Sequence, residues 1–536
     1  MDPVIVVGAG PVGLSLALAL AGQGVPSVLL DEGPGKDEPR PARTVVLHAD
    51  TAAMARRLGC TTLRDEAARW TAWRTVRRRQ EPVRIEFAPR DAESGTPAPL
   101  HVPQHALARG LRDAAHAHPL VQVVADSRLD TVEQDPHGVT AHTRGAETTW
   151  WRGSYLVGCD GARSTVRKLL GVRFPGRTAV ERHAVAALRT ELPWPDEALL
   201  HRSPPEEVTA RPLPDGVWRL DWLLPPRGDL VTPDVLVGRI RDTLAEWCGG
   251  ATPPYELLDT GVHTLHHRLA RRWRDGRAFL AGDAAHLLGA LGTQGVEEGL
   301  RDAENLAWKL ALAWHQGASE TLLDSYQSER RTAVAARLRA ADQAMPVLRS
   351  SGGLRVLLPG AARAHATLLS DAHLGRGPLG SAPGYGRSPL APAPTEGAVQ
   401  TATEPGAPVT DVRVTAPDGT TVPLRDRLGR GRLLAVLVAP GTGVWDRRHW
   451  LKAGLMPRLA AAVSALPTRA ELLVAESYPG AAAHTVLLVR PDGHLVGAFS
   501  GVRPAELYEA AEAVRGGSVD RSPSEDPVPT AADAAG

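Results

Sequence analysis

Three stretches of the chain carry residues whose types and spacing suit the binding of a phosphate-bearing cofactor. The first is Gly8-Ala9-Gly10-Pro11-Val12-Gly13. In this GxGxxG order Gly8 permits a tight turn, Gly10 lets the backbone approach a pyrophosphate, and Gly13 allows close helix–strand packing. The N-terminus of the following helix then faces the phosphate charge. Asp31 ends the next apolar run, where a carboxylate can accept hydrogen bonds from a ribose. This motif selects a dinucleotide without deciding which one. The second stretch is Cys159-Asp160-Gly161-Ala162-Arg163-Ser164-Thr165-Val166-Arg167, locally an Asp-Gly turn running into a capped helix. The third is Ala281-Gly282-Asp283-Ala284-Ala285-His286, followed by Gly292-Thr293-Gln294-Gly295 and by the run Asp302 to Leu310. A strand delivers Asp283 to its end, and a glycine-rich loop leads into a helix whose free N–H groups can meet an anionic or carbonyl group. His286 has neither a paired nucleophile nor metal partners in sequence, and reads as a packed, hydrogen-bonded histidine.

The elements that must position these residues follow from periodicity. Val4 to Val7 is a short unbroken apolar run, as a strand buried on both faces requires. Leu14, Ala17, Leu18 and Ala21 fall at helical spacing, and Val28 to Leu30 is a second buried strand, giving a βαβ unit. From about Arg69 to Leu269 short strand-like runs dominate, among them Val83 to Phe87, Val121 to Val124 and Val217 to Leu224. A long helical region begins near Gly295, with Leu300, Ala303, Ala307, Leu310 and Trp314 on its buried face, and continues towards Ala344. Glycine and proline without periodicity mark 376–408 as a linker. Beyond it, strand-like runs (Leu433 to Val438, Glu471 to Ala475, Thr485 to Val489) flank a helical pattern from Leu451 to Leu466, which predicts a small separate α/β domain.

Bulk composition excludes several classes of function. At 536 residues the chain exceeds one compact core, so two or three domains are expected. Hydrophobic content of 43% and charged content of 23% are ordinary for a globular protein. A net charge of +1 gives no general attraction to nucleic acid or to acidic membranes. Cys60, Cys159 and Cys248 form no CxxC and fit a reducing cytoplasm rather than a disulfide or zinc framework. The apolar stretch Val4 to Ala21 lacks a basic leader and is interrupted by glycines, so it reads as strand-turn-helix rather than signal peptide. A cytoplasmic location is expected, and no internal repeat is visible.

Taken together, in this order and at these distances, the three stretches resemble the aromatic-ring hydroxylases, the single-component flavoprotein monooxygenases that include para-hydroxybenzoate hydroxylase. The resemblance covers about residues 1 to 345, including Tyr326-Gln327-Ser328-Glu329-Arg330. It implies an α/β fold: a Rossmann-type FAD-binding domain with an inserted β-rich substrate domain. The expected divisions are 1–175 and 271–375 for the two parts of the FAD-binding domain, the first with some strands of the substrate sheet, and 176–270 for the substrate domain. A linker at 376–405, a C-terminal domain at 406–515 and a disordered tail at 516–536 complete the chain. That C-terminal domain, with Gly406-Ala407-Pro408 and the run Val486 to Gly493, looks like the thioredoxin-like domain of the larger members, phenol hydroxylases and polyketide-tailoring hydroxylases. It holds no cysteine, so its expected role is structural or dimer contact, with a homodimer as the assembly served.

By position, the resemblance gives Gly8, Gly10, Val12 and Gly13 to the pyrophosphate turn, Asp31 to the adenosine ribose and Asp283 to the ribityl chain. Arg43 resembles an arginine that contacts the FAD phosphates, and Gln104 a glutamine near the adenosine half. Backbone amides of Gly295, Val296 and Glu297 would lie against the flavin ring. Asp160 and Gly161, with Arg163 and Arg167 nearby, would belong to a motif linked to both FAD and NAD(P)H. No second GxGxxG set between a strand and a helix is read for NADH or NADPH, in keeping with a family that has no separate domain for it. The chemistry implied is monooxygenation: NAD(P)H reduces the flavin, and one atom of O2 enters an aromatic or polyketide substrate. Hydroxylation leads, with Baeyer–Villiger oxidation, epoxidation, or non-catalytic FAD binding that shapes a pathway intermediate as alternatives. No catalytic acid or base, and no metal, is called for; Trp194, Trp218 and Trp222 either line an aromatic pocket or belong to the core. The third stretch departs from the family pattern: two prolines are missing from the loop at Gly289 and Ala290, and Glu297 stands where an asparagine is usual. A carboxylate there opposes the charge of an anionic reduced flavin unless it is protonated or turned away.

Overall fold

The computed structural model describes the chain except for residues 36–37, 69, 78–81, 89–98, 146–147, 204–205, 225–230, 289–294, 318, 350–369, 442–453 and 518–536. The glycine-rich loop from Gly289 to Gln294 and most of the tail therefore lie outside the described residues.

The strand Val4–Val7 is fully buried and lies inside a six-stranded sheet. Helix α1 (Pro11–Ala21) follows directly, with Gly13 to Ala21 all buried. Next along the chain come α2 (Ala49–Arg57), α3 (Gln104–Ala117) and the short α4 (Thr165–Leu169). Across the sheet the order is Arg274–Asp275, Ala278–Leu280, Tyr155–Gly158, Val4–Val7, Ser27–Leu30, Val121–Val124. All neighbours run parallel except the first pair. Register decides what matters for function: Val7 pairs with Gly158, and Gly158 with Leu280. Three adjacent parallel strands thus end level, and each is followed at once by one of the three stretches read from sequence. Ligands of open α/β sheets bind outside the carboxyl ends of such strands.

A second sheet of eight strands occupies the middle of the chain. Its order is His286–Leu287, Tyr255–Leu269, Gly176–Thr190, Val217–Leu224, Glu206–Pro212, Glu197–Ser203, Ala72–Arg77, Val83–Glu86. Helix α5 (Pro233–Trp247) covers one face of it. That helix interrupts a stretch read from sequence as strand-dominated, and its signals are local: Thr232 caps it, Pro233 takes its first turn, and Leu236, Ile240 and Leu244 recur every fourth residue. A three-stranded antiparallel sheet (Arg128–Asp135, Gly138–Arg144, Thr148–Gly153) and the ribbon of Thr44–Leu47 with Leu100–Pro103 complete this part.

Helices α6 (Gly295–Gln316), α7 (Glu320–Tyr326) and α8 (Thr332–Arg349) return the chain to the first sheet. The last part is a six-stranded mixed sheet with α9 (Met456–Ser464) and α10 (Pro504–Val514). Its strands Leu433–Val438 and Thr485–Val489 are buried throughout. The glycine- and proline-rich segment before it is laid along this sheet. Tyr385 stacks on His494 with ring centroids 4.2 Å apart, and the Val399 amide donates to the Ala498 carbonyl at 2.9 Å. No helix among the described residues is long and apolar enough to cross a membrane.

Candidate functional site

The level strand ends bring the three stretches into direct contact. Gly8 has a φ of +103°, a conformation that favours glycine, and a Cβ there would sit 2.6 Å from the Cys159 carbonyl oxygen. A Cβ on Gly13 would overlap the Gly8 carbonyl oxygen. Val12 packs against the backbone of both Gly282 and Gly299. The first stretch therefore touches the second through Gly8 and the third through Val12. Asp31 closes the same turn from the next strand: its carboxylate accepts from the Ala9 amide at 2.5 Å and from the Gly33 amide at 2.8 Å. Arg43 and Gln104 meet at the end of the short ribbon, where the Gln104 amide donates to the Arg43 carbonyl at 2.8 Å.

Whether these residues fit a dinucleotide can be judged from the space they leave. A Cβ on Gly10 would have no neighbour within 4 Å, and no side chain caps the N-terminus of α1. The first amides of that helix therefore face open space, as an anion site needs. Asp283 is exposed to solvent, yet burial by the surrounding protein pushes its carboxyl pKa up, against the charges of His286 and Arg43. It accepts no hydrogen bond from any described residue, and Gly295, at the start of α6, comes close to its oxygen. The open side of Gly10, the uncapped start of α1 and the unbonded carboxylate of Asp283 fit FAD. Asp283→Ala is accordingly expected to fold with a change within about 0.5 kcal/mol and to lose its flavin. Absorbance of the desalted protein checks this, and full retention of the flavin band contradicts the assignment of Asp283.

Several residues serve as supports beneath this site. Asp160 turns its carboxylate onto its own helix, accepting from the Ser164 hydroxyl at 2.5 Å and the Thr165 amide at 2.6 Å. Arg167 donates to the carbonyls of Ala162 and Ala284, both at 2.9 Å, tying the second stretch to the third. His286 is fully buried, stacks on Trp273 and pairs through Nε2 with Asp302 at 2.8 Å. That is the packed histidine expected from sequence. Asp302 also accepts from the Gly282 amide at 2.9 Å and from Arg330 Nε at 2.8 Å. Sequence reading missed Glu298, whose buried carboxylate binds Arg301, Arg330 and Arg337. Its spacing of three residues from Arg301 was the one available signal.

Glu297 is turned away from the site. Its Oε1 accepts from the His48 amide at 2.9 Å, from His48 Nδ1 at 2.8 Å and from the Thr51 hydroxyl at 2.8 Å, at the N-terminus of α2. His48 Nε2 meets the Leu374 carbonyl at 2.6 Å. Burial pulls the His48 pKa down, but Glu297 and the Leu374 carbonyl outweigh it and hold the pKa above its ordinary value. Acceptors at both ring nitrogens favour the imidazolium form of His48 beside Glu297, and Arg301 lies 3.5 Å from the same carboxylate. The carboxylate that stands where an asparagine is usual is thus spent on a buried pair.

The middle sheet presents two different faces. Trp218, Leu220 and Trp222 pack with Leu236, Ile240 and Leu244 of α5, and Trp194 lies against Trp247 at the edge of the same cluster. These tryptophans are core. The opposite face carries His183, Arg211, Arg219, Asp221, Asp259 and His263. It packs towards the nucleotide side, since the Ala42 amide donates to Asp259 at 3.1 Å and His101 of the short ribbon meets the Pro212 carbonyl at 3.0 Å. Asp221 accepts from His183 Nδ1 at 2.5 Å and from Arg219 at 3.0 Å. Burial brings the His263 pKa down to about 4, against the charge of Asp221 and with those of Arg219 and Arg43, so that ring is neutral. Among the described residues no cluster could hold a metal ion.

Comparison with known proteins agrees with this geometry. Residues 1–341 match the FAD binding domain family. The chain is 32% identical over 338 residues to a 3-(3-hydroxy-phenyl)propionate/3-hydroxycinnamic acid hydroxylase of Mycolicibacterium smegmatis, across 61% of this chain and 58% of that protein. It therefore spans less than two thirds of the length of such relatives. A dialkyldecalin synthase of Streptomyces rugosporus is 33% identical over 375 residues, across 67% of this chain and 76% of its own. Among solved structures, the OxyS anhydrotetracycline hydroxylase from Streptomyces rimosus superposes with a TM-score of 0.69 at 28% identity, covering 96% of this chain and 99% of its own.

Proposed function

The chain belongs to the FAD binding domain family, and from that premise we propose that it is an FAD-dependent, NAD(P)H-consuming monooxygenase. It would hydroxylate an aromatic or polyketide-type substrate with one atom of O2. The observation that carries this reading is the convergence of three parallel strand ends beside the open, uncapped start of α1. FAD, when bound, supplies two-electron reduction by NAD(P)H and the activation of O2. The chain's own residues hold and position. The uncapped amides at Gly10 and the first turn of α1 would take the pyrophosphate, with Arg43 beside it. Asp31 and Asp283 would bind the ribose and the ribityl chain, and the amides of Gly295, Val296 and Glu297 would face the ring. No side-chain nucleophile is needed. The substrate would lie between the ring and the face bearing His183, Arg219 and Asp221, and a homodimer is the assembly we expect.

A second reading has its own support. The dialkyldecalin synthase matches over more of both chains than the hydroxylase does. The loop before α6 also lacks the two prolines that would stiffen the backbone there. On this reading the chain holds FAD and shapes a pathway intermediate without transferring oxygen. One assay separates the two. The FAD-loaded protein is mixed with NADH or NADPH, with and without aromatic phenols such as 3-(3-hydroxyphenyl)propionate. Substrate-stimulated bleaching of the flavin band and a product heavier by one oxygen atom are expected. Flavin that neither nucleotide bleaches overturns the monooxygenase and leaves the second reading.

A further inference from the structure

On the polar face of the middle sheet one of two adjacent buried arginines, Arg211, has no carboxylate partner among the described residues. Arg211 and Arg219 are directly opposed on neighbouring strands, so their side chains leave the sheet side by side. They are only 3% and 5% exposed. Like charges so placed repel, and burying a guanidinium without a partner is costly. The carboxylates nearby are already engaged: Asp221 by His183 and Arg219, Glu207 by Arg202, and Asp259 by Arg40 and the Ala42 amide. Among the described residues Arg211 hydrogen-bonds only the His373 carbonyl, at a long 3.5 Å.

Unused polar atoms collect at the same place. Arg211 Nε, Arg219 Nε and Nη1, His183 Nε2 and His101 Nε2 are buried without a hydrogen-bond partner among the described residues. Buried groups of this kind are rare, and each calls for a water, an ion or a ligand. Trp73 lies under the Arg211 guanidinium at 6.0 Å, and Val185 and Ala187 add apolar surface on the same face. Burial, and then the neighbouring charge of Arg219, bring the Arg211 pKa down to about 10, so the guanidinium remains charged at neutral pH.

We propose that Arg211 and Arg219 form an oxyanion-binding subsite that selects substrates carrying a carboxylate or an ionised enol, such as an acidic β-dicarbonyl ring. Two adjacent guanidiniums offer parallel N–H donors to a planar, two-oxygen anion. The ligand would supply the carboxylate partner that Arg211 lacks and occupy the orphaned donors. The proposal rests on the placement of substrate against this face in the function proposed above. It is independent of whether oxygen is transferred.

Binding to the oxidised FAD-loaded protein, without NAD(P)H, tests it apart from turnover. Titration calorimetry would compare 2-naphthoate with 2-naphthamide, and 4-hydroxycoumarin with its methyl ether. At least one anion is expected to bind ~10-fold or more tighter than its neutral counterpart. Which pair shows the preference tells a carboxylate from an enol. In Arg211→Met and Arg219→Met the preference is expected to fall below about 2-fold, with flavin content unchanged, and Arg211→Lys to retain part of it. Ligand-free Arg211→Met is expected to melt at or above the wild-type temperature, because an unpaired buried charge is removed. Equal binding of acid and amide with equal binding of enol and ether overturns the proposal. So does a preference that survives both methionine variants, or the failure of both anions to bind.

Discussion

Gly13→Ala is expected to give a protein that carries no flavin and is destabilised by on the order of 3 kcal/mol. The added methyl would overlap the Gly8 carbonyl oxygen, a backbone atom already fixed by the turn. Relief would require α1 to move away from the strand end. That movement is blocked, because Gly13 to Ala21 are all buried and Val12 is held against Gly282 and Gly299. Overpacking in such a place forces backbone shifts rather than rotamer changes, and a shift here breaks the junction of all three stretches. Gly10→Ala provides the contrast. Its φ of −76° suits any residue, and its Cβ would meet nothing within 4 Å. That variant should melt within about 0.5 kcal/mol of wild type and still bind FAD at least ~10-fold more weakly, since its methyl occupies the path of the pyrophosphate. Thermal melts together with flavin absorbance after desalting read both effects. A Gly10→Ala protein with undiminished flavin affinity would contradict the placement of the phosphates.

The contrast shows what could and could not be read from the chain. The strands Val4–Val7, Leu433–Val438 and Thr485–Val489 are buried local runs and Val121–Val124 and Val217–Leu224 partly buried ones, and their limits are visible in the residues themselves. The glycine turn and Asp31 were legible for the same reason: their requirements are set by neighbours close in sequence. Helices α3 and α5 were submerged in strand-rich surroundings, although Leu236, Ile240 and Leu244 keep a helical period. The faces of the middle sheet were not legible. Alternation separates Trp218, Leu220 and Trp222 from Arg219 and Asp221. Nothing local says which set meets α5 and which meets the ribbon at Thr44–Leu47. Likewise the direction of Glu297 depends on His48, 249 residues away. Long-range partners decide whether a charge is a hazard or half of a pair.

The second large effect belongs to a buried network where the C-terminal sheet docks on α6. Glu329 accepts from Lys309 at 2.7 Å, Asn305 at 2.8 Å, Ser388 at 2.5 Å and both terminal nitrogens of Arg490 at 2.6 and 2.9 Å. Asp492 accepts in turn from Arg490 at 2.5 Å and from Trp308 at 3.2 Å. Two cations and two carboxylates balance there, so Glu329→Gln leaves one buried positive charge unpaired. Breaking such a pair costs about 3–5 kcal/mol, and the melting temperature should fall accordingly. The deficit should depend on pH in a defined direction. Burial brings the Lys309 pKa down to about 8 while Glu329 holds it up. Without Glu329 the folded-state pKa falls further below that of the unfolded chain. The unfolded state then binds more protons just below pH 8, and the stability of the variant rises with pH there more steeply than wild type. Replacing both partners, as in Glu329→Gln with Arg490→Met, removes the imbalance and should cost less than the sum of the single changes. A double-mutant cycle of melts checks the sign of that coupling. Additive losses would mean that Glu329 and Arg490 do not act as a pair in docking the C-terminal sheet.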